Sequence, residues 1–452
     1  MKSVKQGSKA SVSPARLSAF EILLRIDRED AYASELLHSS EQAKLSPADH
    51  GLATEIVMGV LRWRSVLDAE LRSASSQKFE KLDAEVLCAL RMGLYQLRFL
   101  ERVPARAAIH ESVDLVKRAR KASAAGFVNA VLRKLSATGI RADQSPAAET
   151  VEAIAEKFAH PQWLVERWHE QYGIEVARQI CAYDQQVPQT AIRLWEPSTE
   201  QELQVQGINF MPGALVTSAR RIVSGDVTKT KAFRDGRLAV QDEASQLVAS
   251  LVGRGKRILD CCAAPGGKSS ILAHRNSGAS VLAVELHPHR ARLLRKLVRA
   301  SNVQVVAADA RQLPFSIGFD RVLVDVPCSG TGTLARNPEI KWRLKPEDLA
   351  DLQTRQTAIL RSAMVTAESG GRVVYSTCSL EREENSDVIE RVLADERSFR
   401  LVSVPDELKC LMEKGELAWS DLQLLTSGPY LRTMPGVHPC DGFFASILEK
   451  VA

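Results

Sequence analysis

Through the first third of the chain, apolar residues recur three and four positions apart. They do so at Ala19, Phe20, Leu23, Leu24 and Ile26, at Ile56, Val57, Val60 and Leu61, and at Val86, Leu87, Leu90, Leu94 and Leu97. That spacing puts each set on one face of a helix. Glycine is sparse and β-branched runs are short, so residues 13–136 are expected to form an all-α bundle. Residues 137–238 give weaker signals. A helix begins at Pro161-Gln162-Trp163, continues through Trp168 to Tyr172, and stops at Gly173, a residue suited to a helix C-terminus. Thr190 to Leu194 reads as a strand, and a small α+β linker subdomain is expected around it.

From Ala239 to Ala452 the pattern becomes strand, turn, helix, repeated. Short apolar runs lie at Arg257–Cys261, Val281–Glu285, Val303–Asp309, Arg321–Asp325 and Arg372–Ser376, with helical stretches such as Pro288–Ala300 and Pro346–Ser369 between them. Continuous apolar strands alternating with helices imply a parallel sheet covered on both faces. The expected architecture is therefore multidomain: an all-α bundle (13–136), a small α+β subdomain (137–238) and a C-terminal α/β Rossmann-like domain (239–452). Ligands of such sheets bind beyond the carboxyl ends of the strands.

Composition adds bounds. The 452 residues suit two or three domains, and 45% apolar with 25% charged residues is ordinary for a globular protein. The net charge of +5 permits a nucleic-acid partner. Cations cluster at Arg106, Lys117, Arg118, Arg120, Lys121, Arg133 and Lys134, which read equally well as a solvated helix face or as a phosphate-contacting one. Residues Met1 to Arg16 are Ser- and Lys-rich without an acid and read as a short basic tail. The eight cysteines are scattered, with no CxxC pair, so no metal site and no disulfide framework is expected. Reduced thiols, the lack of a secretory signal and the lack of a membrane-spanning stretch point to the cytoplasm.

Candidate chemistry gathers at the strand ends. The first strand runs into Cys262-Ala263-Ala264-Pro265-Gly266-Gly267-Lys268, where small residues let a ligand approach the backbone. This is not the dinucleotide pattern. Gly267-Lys268-Ser269 imitates the tail of a phosphate loop, but position 262, where that loop needs its first glycine, is cysteine, which excludes an NTPase. Glu285, at the end of the second strand, is placed to hold ribose hydroxyls. Asp309, ending the third, is placed to meet an adenine amino group. Either acid alone reads as a helix cap or a surface carboxylate. Together with the loop they suit an adenosine ligand without a pyrophosphate, which S-adenosylmethionine is.

The fourth strand leads into Asp325-Val326-Pro327-Cys328-Ser329-Gly330 and the fifth into Ser376-Thr377-Cys378-Ser379. Two cysteines at strand ends beside a cofactor loop suggest covalent catalysis. Carbon 5 of cytosine is a poor nucleophile. Adding a thiolate to carbon 6 makes the ring enamine-like, so that carbon 5 can accept a methyl group from a sulfonium. Asp325, protonated or suitably paired, is placed to contact N3 and the exocyclic amine, and Cys328 to assist proton removal or release.

These motifs resemble those of the Sun/Fmu family of RNA cytosine-5 methyltransferases, and the resemblance spans nearly the whole chain. It rests on Asp260 to Lys268, Asp325 to Gly330 and Thr377 to Ser379. Arg336-Asn337-Pro338-Glu339, Lys341-Trp342-Arg343, Gln241 to Ser245 and Asp441 to Phe444 also look like family sequence. The resemblance implies that Asp260 to Lys268 binds S-adenosylmethionine, that Cys378 is the nucleophile and that Cys328 assists release. Many relatives carry aspartate at Glu285. Ile109 to Val113 and Gly126 to Arg133 resemble a NusB-like RNA-binding domain. That fusion implies a bacterial enzyme acting on small-subunit (16S) ribosomal RNA, with the target base flipped or single-stranded.

Three other readings compete. A DNA cytosine-5 methyltransferase would use Cys328 as nucleophile and leave Cys378 unexplained. A transfer-RNA methyltransferase would carry the same catalytic motifs. A catalytically silent RNA-binding protein would keep the fold and lose turnover.

Overall fold

The computed structural model describes residues 12–29, 31–39, 42–138, 150–315 and 318–451. The chain forms two compact units, Met1–Gln186 with Leu334–Arg343, and Val187–Thr333 with Leu344–Ala452.

The first unit is helical. Its long helices are Pro14–Glu29, Pro47–Arg62, Arg64–Ala74, Ala84–Phe99, Ala105–Arg118 and Ala125–Ala137. Ser46 caps the second, its hydroxyl accepting from the Asp49 N–H, with Pro47 at the first helical position. Ile56, Leu67, Leu71, Leu90, Leu94, Leu115 and Leu132 are fully buried. The charge of Arg91 inside this core is met by Asp68, which accepts from Nε and Nη2 at 2.7 Å each. Residues 1–11 of the expected basic tail lie outside the described residues, but the rest is not tail. Arg16 is buried in the first helix, donating to Gln96 Oε1 at 2.6 Å and Glu111 Oε1 at 3.0 Å. Its charge looked unpaired because Glu111 lies far along the chain.

Helices Val151–Lys157, Gln162–Tyr172 and Ile174–Asp184 belong to this unit. Gly173 ends the second of these with φ of 85°. The excursion Leu334–Arg343 ties down helix ends within the same unit. Lys341 Nζ donates to the Arg62 carbonyl at 3.0 Å, Trp342 Nε1 to that of Leu61 at 2.6 Å, and Arg343 to that of Ile26 at 3.1 Å. These oxygens belong to last turns, which lack partners within their own helices and carry the negative end of the dipole.

The second unit holds two sheets. The smaller contains β1 (Ala191–Leu194), β2 (Asn209–Pro212), β3 (Ala219–Ser224) and β4 (Leu238–Val240), in the antiparallel order β2-β3-β1-β4. The expected start of the last domain at Ala239 falls inside β4. The larger contains β5 (Arg257–Asp260), β6 (Ser280–Glu285), β7 (Val303–Ala307), β8 (Phe319–Asp325), β9 (Ala367–Thr377), β10 (Phe399–Val402), β11 (Thr426–Ser427), β12 (Tyr430–Thr433) and β13 (Phe443–Lys450). Its order is β11-β12-β13-β9-β8-β5-β6-β7, with β10 paired to β13.

The five strands from β9 to β7 are parallel, as the alternating pattern implied. The remaining four are antiparallel, so the sheet is mixed rather than parallel throughout. Neighbouring residues of each central strand serve opposite faces. Ile258, Val281, Leu323 and Val374 enter one core, while Leu259, Val322, Val324 and Val373 enter the other. The helix expected at Pro346–Ser369 runs Asp348–Thr366, and the chain is already β9 at Ala367. Between Ala367 and Arg372 the pairing of β9 with β8 is interrupted, and Glu368 to Gly371 carry no apolar periodicity that marks a strand.

Candidate active site

β5 delivers Asp260 to the carboxyl edge of the sheet, and a tight turn leads into the helix Gly267–Arg275. Gly266 opens that helix at φ 116°, and a Cβ there would lie 2.5 Å from Val298, so only glycine suits both backbone and space. The Ala264–Pro265 peptide is cis. Asp260 is buried and accepts from the Ser269 hydroxyl at 2.7 Å. Burial pushes its pKa up to about 7, and the neighbouring Asp325 adds to the rise. Ala263 is buried beside it. Burial also pushes the Cys262 thiol well up, as do the charges of Asp260, Asp325, Glu285 and Asp309 around it.

Glu285 ends β6, buried, with Oε1 accepting the His287 N–H at 2.9 Å. Asp309 lies beyond β7, which ends at Ala307 rather than at the acid. It caps a single 3-10 turn through the Arg311 N–H and pairs with the Arg311 guanidinium at 2.6 Å. The hydrogen bonds from Arg311 hold its pKa below the usual carboxylate value. The loop and three of the acids thus line one edge, while Asp309 keeps Arg311 as an immediate partner.

β8 and β9 are adjacent and parallel, with Asp325 in register with Ser376. Their ends bring the two sulfur atoms of Cys328 and Cys378 to 3.2 Å. The hydrogen bond to Cys378, and then burial, raise the Cys328 pKa well above that of a free thiol. Asp325 is paired on both oxygens, accepting from Lys268 Nζ at 2.7 Å and from the Ser376 hydroxyl at 2.7 Å. Burial alone would depress the Lys268 ammonium, but Asp325 outweighs it and the net shift is upward. Lys268, expected only at the cofactor, reaches the Asp325 carboxylate and lies within electrostatic reach of Cys378.

A buried carboxylate supports both cysteine turns. Glu384 Oε1 accepts from the Ser329 N–H and from Gln356 Nε2, each at 2.8 Å. Oε2 accepts from the hydroxyls of Ser329 and of Ser379, the latter at 2.5 Å. Asn385 Nδ2 donates to the Ser379 carbonyl at 2.9 Å. Gly332 closes the arrangement, its N–H donating to the Cys378 carbonyl at 2.9 Å and its carbonyl accepting from Gly442 at 2.7 Å. None of Glu384, Asn385, Gln356 and Gly332 was singled out in the sequence. The run Glu381-Arg382-Glu383-Glu384 looks like solvated surface there.

In the helical unit the expected basic face is partly neutralised. Lys117 pairs with Asp114 at 3.0 Å and Lys121 with Asp83 at 3.1 Å, while Arg106, Arg118, Arg120 and Arg133 are exposed. Among the described residues no group of His, Cys, Asp or Glu is arranged to hold a metal ion, and no helix is long and apolar enough to cross a membrane.

Comparison with known proteins agrees with this arrangement. The family described as 16S rRNA methyltransferase RsmB/F matches residues 252–449. The probable ribosomal RNA small subunit methyltransferase B of Bacillus subtilis (strain 168) is 32% identical, over 96% of this chain and 98% of its own. The chain belongs to the RsmB/F methyltransferase family. The probable ribosomal RNA small subunit methyltransferase B of Synechocystis sp. is also 32% identical, over 96% of this chain and 99% of its own. The NusB family matches residues 13–137, and a ferredoxin-like domain of RsmF/B-like methyltransferases matches 160–225. The crystal structure of PH0851 superposes with a TM-score of 0.79 at 23% identity, covering 97% of this chain and 99% of that one, and shares the fold. The NusB-like bundle, the small α+β subdomain and the Rossmann-like domain read from the sequence are therefore present.

As a methyltransferase of this family, the chain takes S-adenosylmethionine as its cofactor. The site suits that ligand. Four carboxylates surround the Cys262 loop, matching a cofactor with cationic sulfonium and ammonium groups.

Proposed function

We propose that the protein methylates carbon 5 of a cytosine in 16S ribosomal RNA through a covalent adduct with Cys378. The supporting observation is the pair of sulfur atoms 3.2 Å apart, with the Cys328 thiol pushed above its ordinary pKa and Lys268 beside Asp325. The ribosomal RNA substrate rests on the relatives, which are named as small-subunit rRNA methyltransferases. We assign residues 13–136 to RNA binding, 137–238 to the linker subdomain and 239–452 to methyl transfer, in the cytoplasm.

In this reading Asp260 to Lys268, Glu285, Asp309 and Asp325 line the cofactor. Bound there, S-adenosylmethionine supplies an electrophilic methyl group on a sulfonium. Cys378 adds as a thiolate to carbon 6 of the cytosine. Its hydrogen bond from Cys328 and the Lys268 ammonium both favour the anion. Asp325, already paired with Lys268 and Ser376, accepts from the exocyclic amine, and Lys268 supplies positive charge beside the activated ring. After methylation a base removes the carbon-5 proton, Cys378 leaves, and Cys328 donates to the departing sulfur.

The test is incubation with S-adenosylmethionine and unmodified 16S rRNA, then bisulfite mapping. One new 5-methylcytosine, absent with Cys378→Ala, is expected, together with a protein–RNA adduct that accumulates in Cys328→Ala. Activity that survives Cys378→Ala and disappears with Cys328→Ala reverses the two roles. Methylation of transfer RNA alone discards the substrate and keeps the chemistry. Binding without methylation of either RNA leaves the silent RNA-binding reading.

A further inference from the structure

The helix Pro288–Leu297, which follows β6, uses only one face for folding. Ala291, Leu294 and Val298, spaced three and four apart, are buried, and Leu294 and Val298 pack with Ala263 and Ala283. The other positions from Leu286 to Arg299 are exposed. No acidic residue occurs between Leu286 and Ala308, a stretch that carries Arg290, Arg292, Arg295, Lys296 and Arg299. Arg295 donates to the Val305 carbonyl at 3.0 Å. Among the described residues, no carboxylate lies within ion-pair distance of Arg290, Arg292, Lys296 or Arg299.

Several other exposed arginines of this chain are paired. The exposed Arg178, Arg257, Arg311, Arg361 and Arg400 each have a carboxylate partner. The helix also has no acid in its first turn, so Arg290 faces the positive end of the dipole uncompensated. Arg292 and Lys296 fall at i and i+4 on one side of the helix, about 5–6 Å apart, and Arg299 lies just past its end. Arg299 carries the stripe onward. Its side chain packs against Gly236, where a Cβ would lie 2.7 Å from Cδ, and Arg234 is exposed on that same turn.

We propose that this stripe is a second RNA-backbone contact, in which Arg290, Arg292, Lys296 and Arg299 pair with phosphates of the substrate strand next to the cofactor edge. The inference rests on RNA being the substrate. Glu285 immediately precedes the segment, so a strand bound along it would begin beside the proposed cofactor edge. Leu286, Leu293 and Leu297, 51%, 48% and 54% exposed, flank the cations and offer apolar contact to unstacked bases. An anionic membrane is the rival partner for an exposed face of leucines and cations. It accounts less well for a stripe that continues past the helix onto the Gly236 turn.

The test uses the full chain with Arg290→Gln, Arg292→Gln, Lys296→Gln and Arg299→Gln combined. Binding to an unmodified 16S rRNA transcript is measured across a potassium chloride series, with S-adenosylmethionine affinity as the check on folding. The variant is expected to bind RNA at least about tenfold more weakly. Its slope of log affinity against log salt should be shallower by roughly 3, for four lost phosphate contacts. Cofactor affinity should be unchanged. Wild-type affinity and slope in the variant overturn the inference, as does loss of binding to phosphatidylserine vesicles with RNA binding unaffected. If the wild-type chain binds the transcript without methylating it, the catalytic reading fails while the surface is still judged by the slope.

Discussion

Replacing Glu384 separates its hydrogen bonding from its charge. The carboxylate is fully buried and joins the two turns that carry Cys328 and Cys378. In Glu384→Ala the Ser329 N–H loses its acceptor and Gln356 Nε2 loses one of two, keeping the Pro327 carbonyl at 3.0 Å. A buried donor left without a partner costs about 1–3 kcal/mol. The serine hydroxyls lie 3.0 Å apart and can turn to each other, so they add little. The expected loss is about 2–4 kcal/mol, including the cavity left by the side chain. Glu384→Gln keeps an oxygen where Oε1 stands and presents an amide to two hydroxyls able to accept, so it should cost only about 1 kcal/mol. Urea unfolding measures both. Turnover under saturating cofactor should fall at least about tenfold in Glu384→Ala and recover most of the way in Glu384→Gln, because about 1.4 kcal/mol of misplaced geometry is already tenfold in rate. Equal loss in the two variants would refute the hydrogen-bonding account and leave the charge as the determinant. A fully active, stable Glu384→Ala protein would remove Glu384 from the support of the thiols altogether.

Two further outcomes follow from the packing. In Gly332→Ala the new Cβ would stand 2.2 Å from the Gly442 carbonyl oxygen and 2.9 Å from that of Cys378; a destabilisation of about 1–3 kcal/mol and a fall in turnover with unchanged cofactor affinity are expected from urea melts, kinetics and calorimetry. Burial lowers the Lys341 pKa to about 7 from 10.5, so between those values the folded chain holds the amine neutral while the unfolded chain protonates it. The unfolded state then binds the extra proton, and stability rises with pH across that window by up to roughly 5 kcal/mol, a slope that Lys341→Met should abolish in urea melts at several pH values.

How much of this could be read in the sequence depended on how local each signal was. The Asp260–Lys268 turn was legible because one short segment carries the strand end, the small residues and the helix start. Cys328 and Cys378 could be placed at strand ends, since each apolar run stops just before them. Their separation could not be read, because it depends on β8 lying between β5 and β9, an order the chain does not spell out. β10 to β13 went unseen because antiparallel strands without intervening helices break the alternating rhythm. Asp309 read as a strand terminus, but Arg311 two residues on supplies a capping partner that ends the strand earlier. Glu384 was invisible for the opposite reason. Its local neighbours are charged, and one of its two main partners, Ser329, lies 55 residues upstream.

The close thiols also bear on which one attacks. Two sulfurs at 3.2 Å share one hydrogen bond, and ionising both would place like charges in contact. One proton must therefore stay with the pair, and what surrounds each sulfur decides where. Cys328 is held to its proton by its bond to Cys378 and by burial, and the charge of Glu384 reinforces that. Cys378 faces the Lys268 ammonium, whose own pKa is raised partly by that sulfur. That difference in surroundings supports the proposal that Cys378 attacks, rather than the cysteine of the Pro-Cys turn. In the proposed mechanism, a proton on Cys328 is the one available when the carbon–sulfur bond breaks.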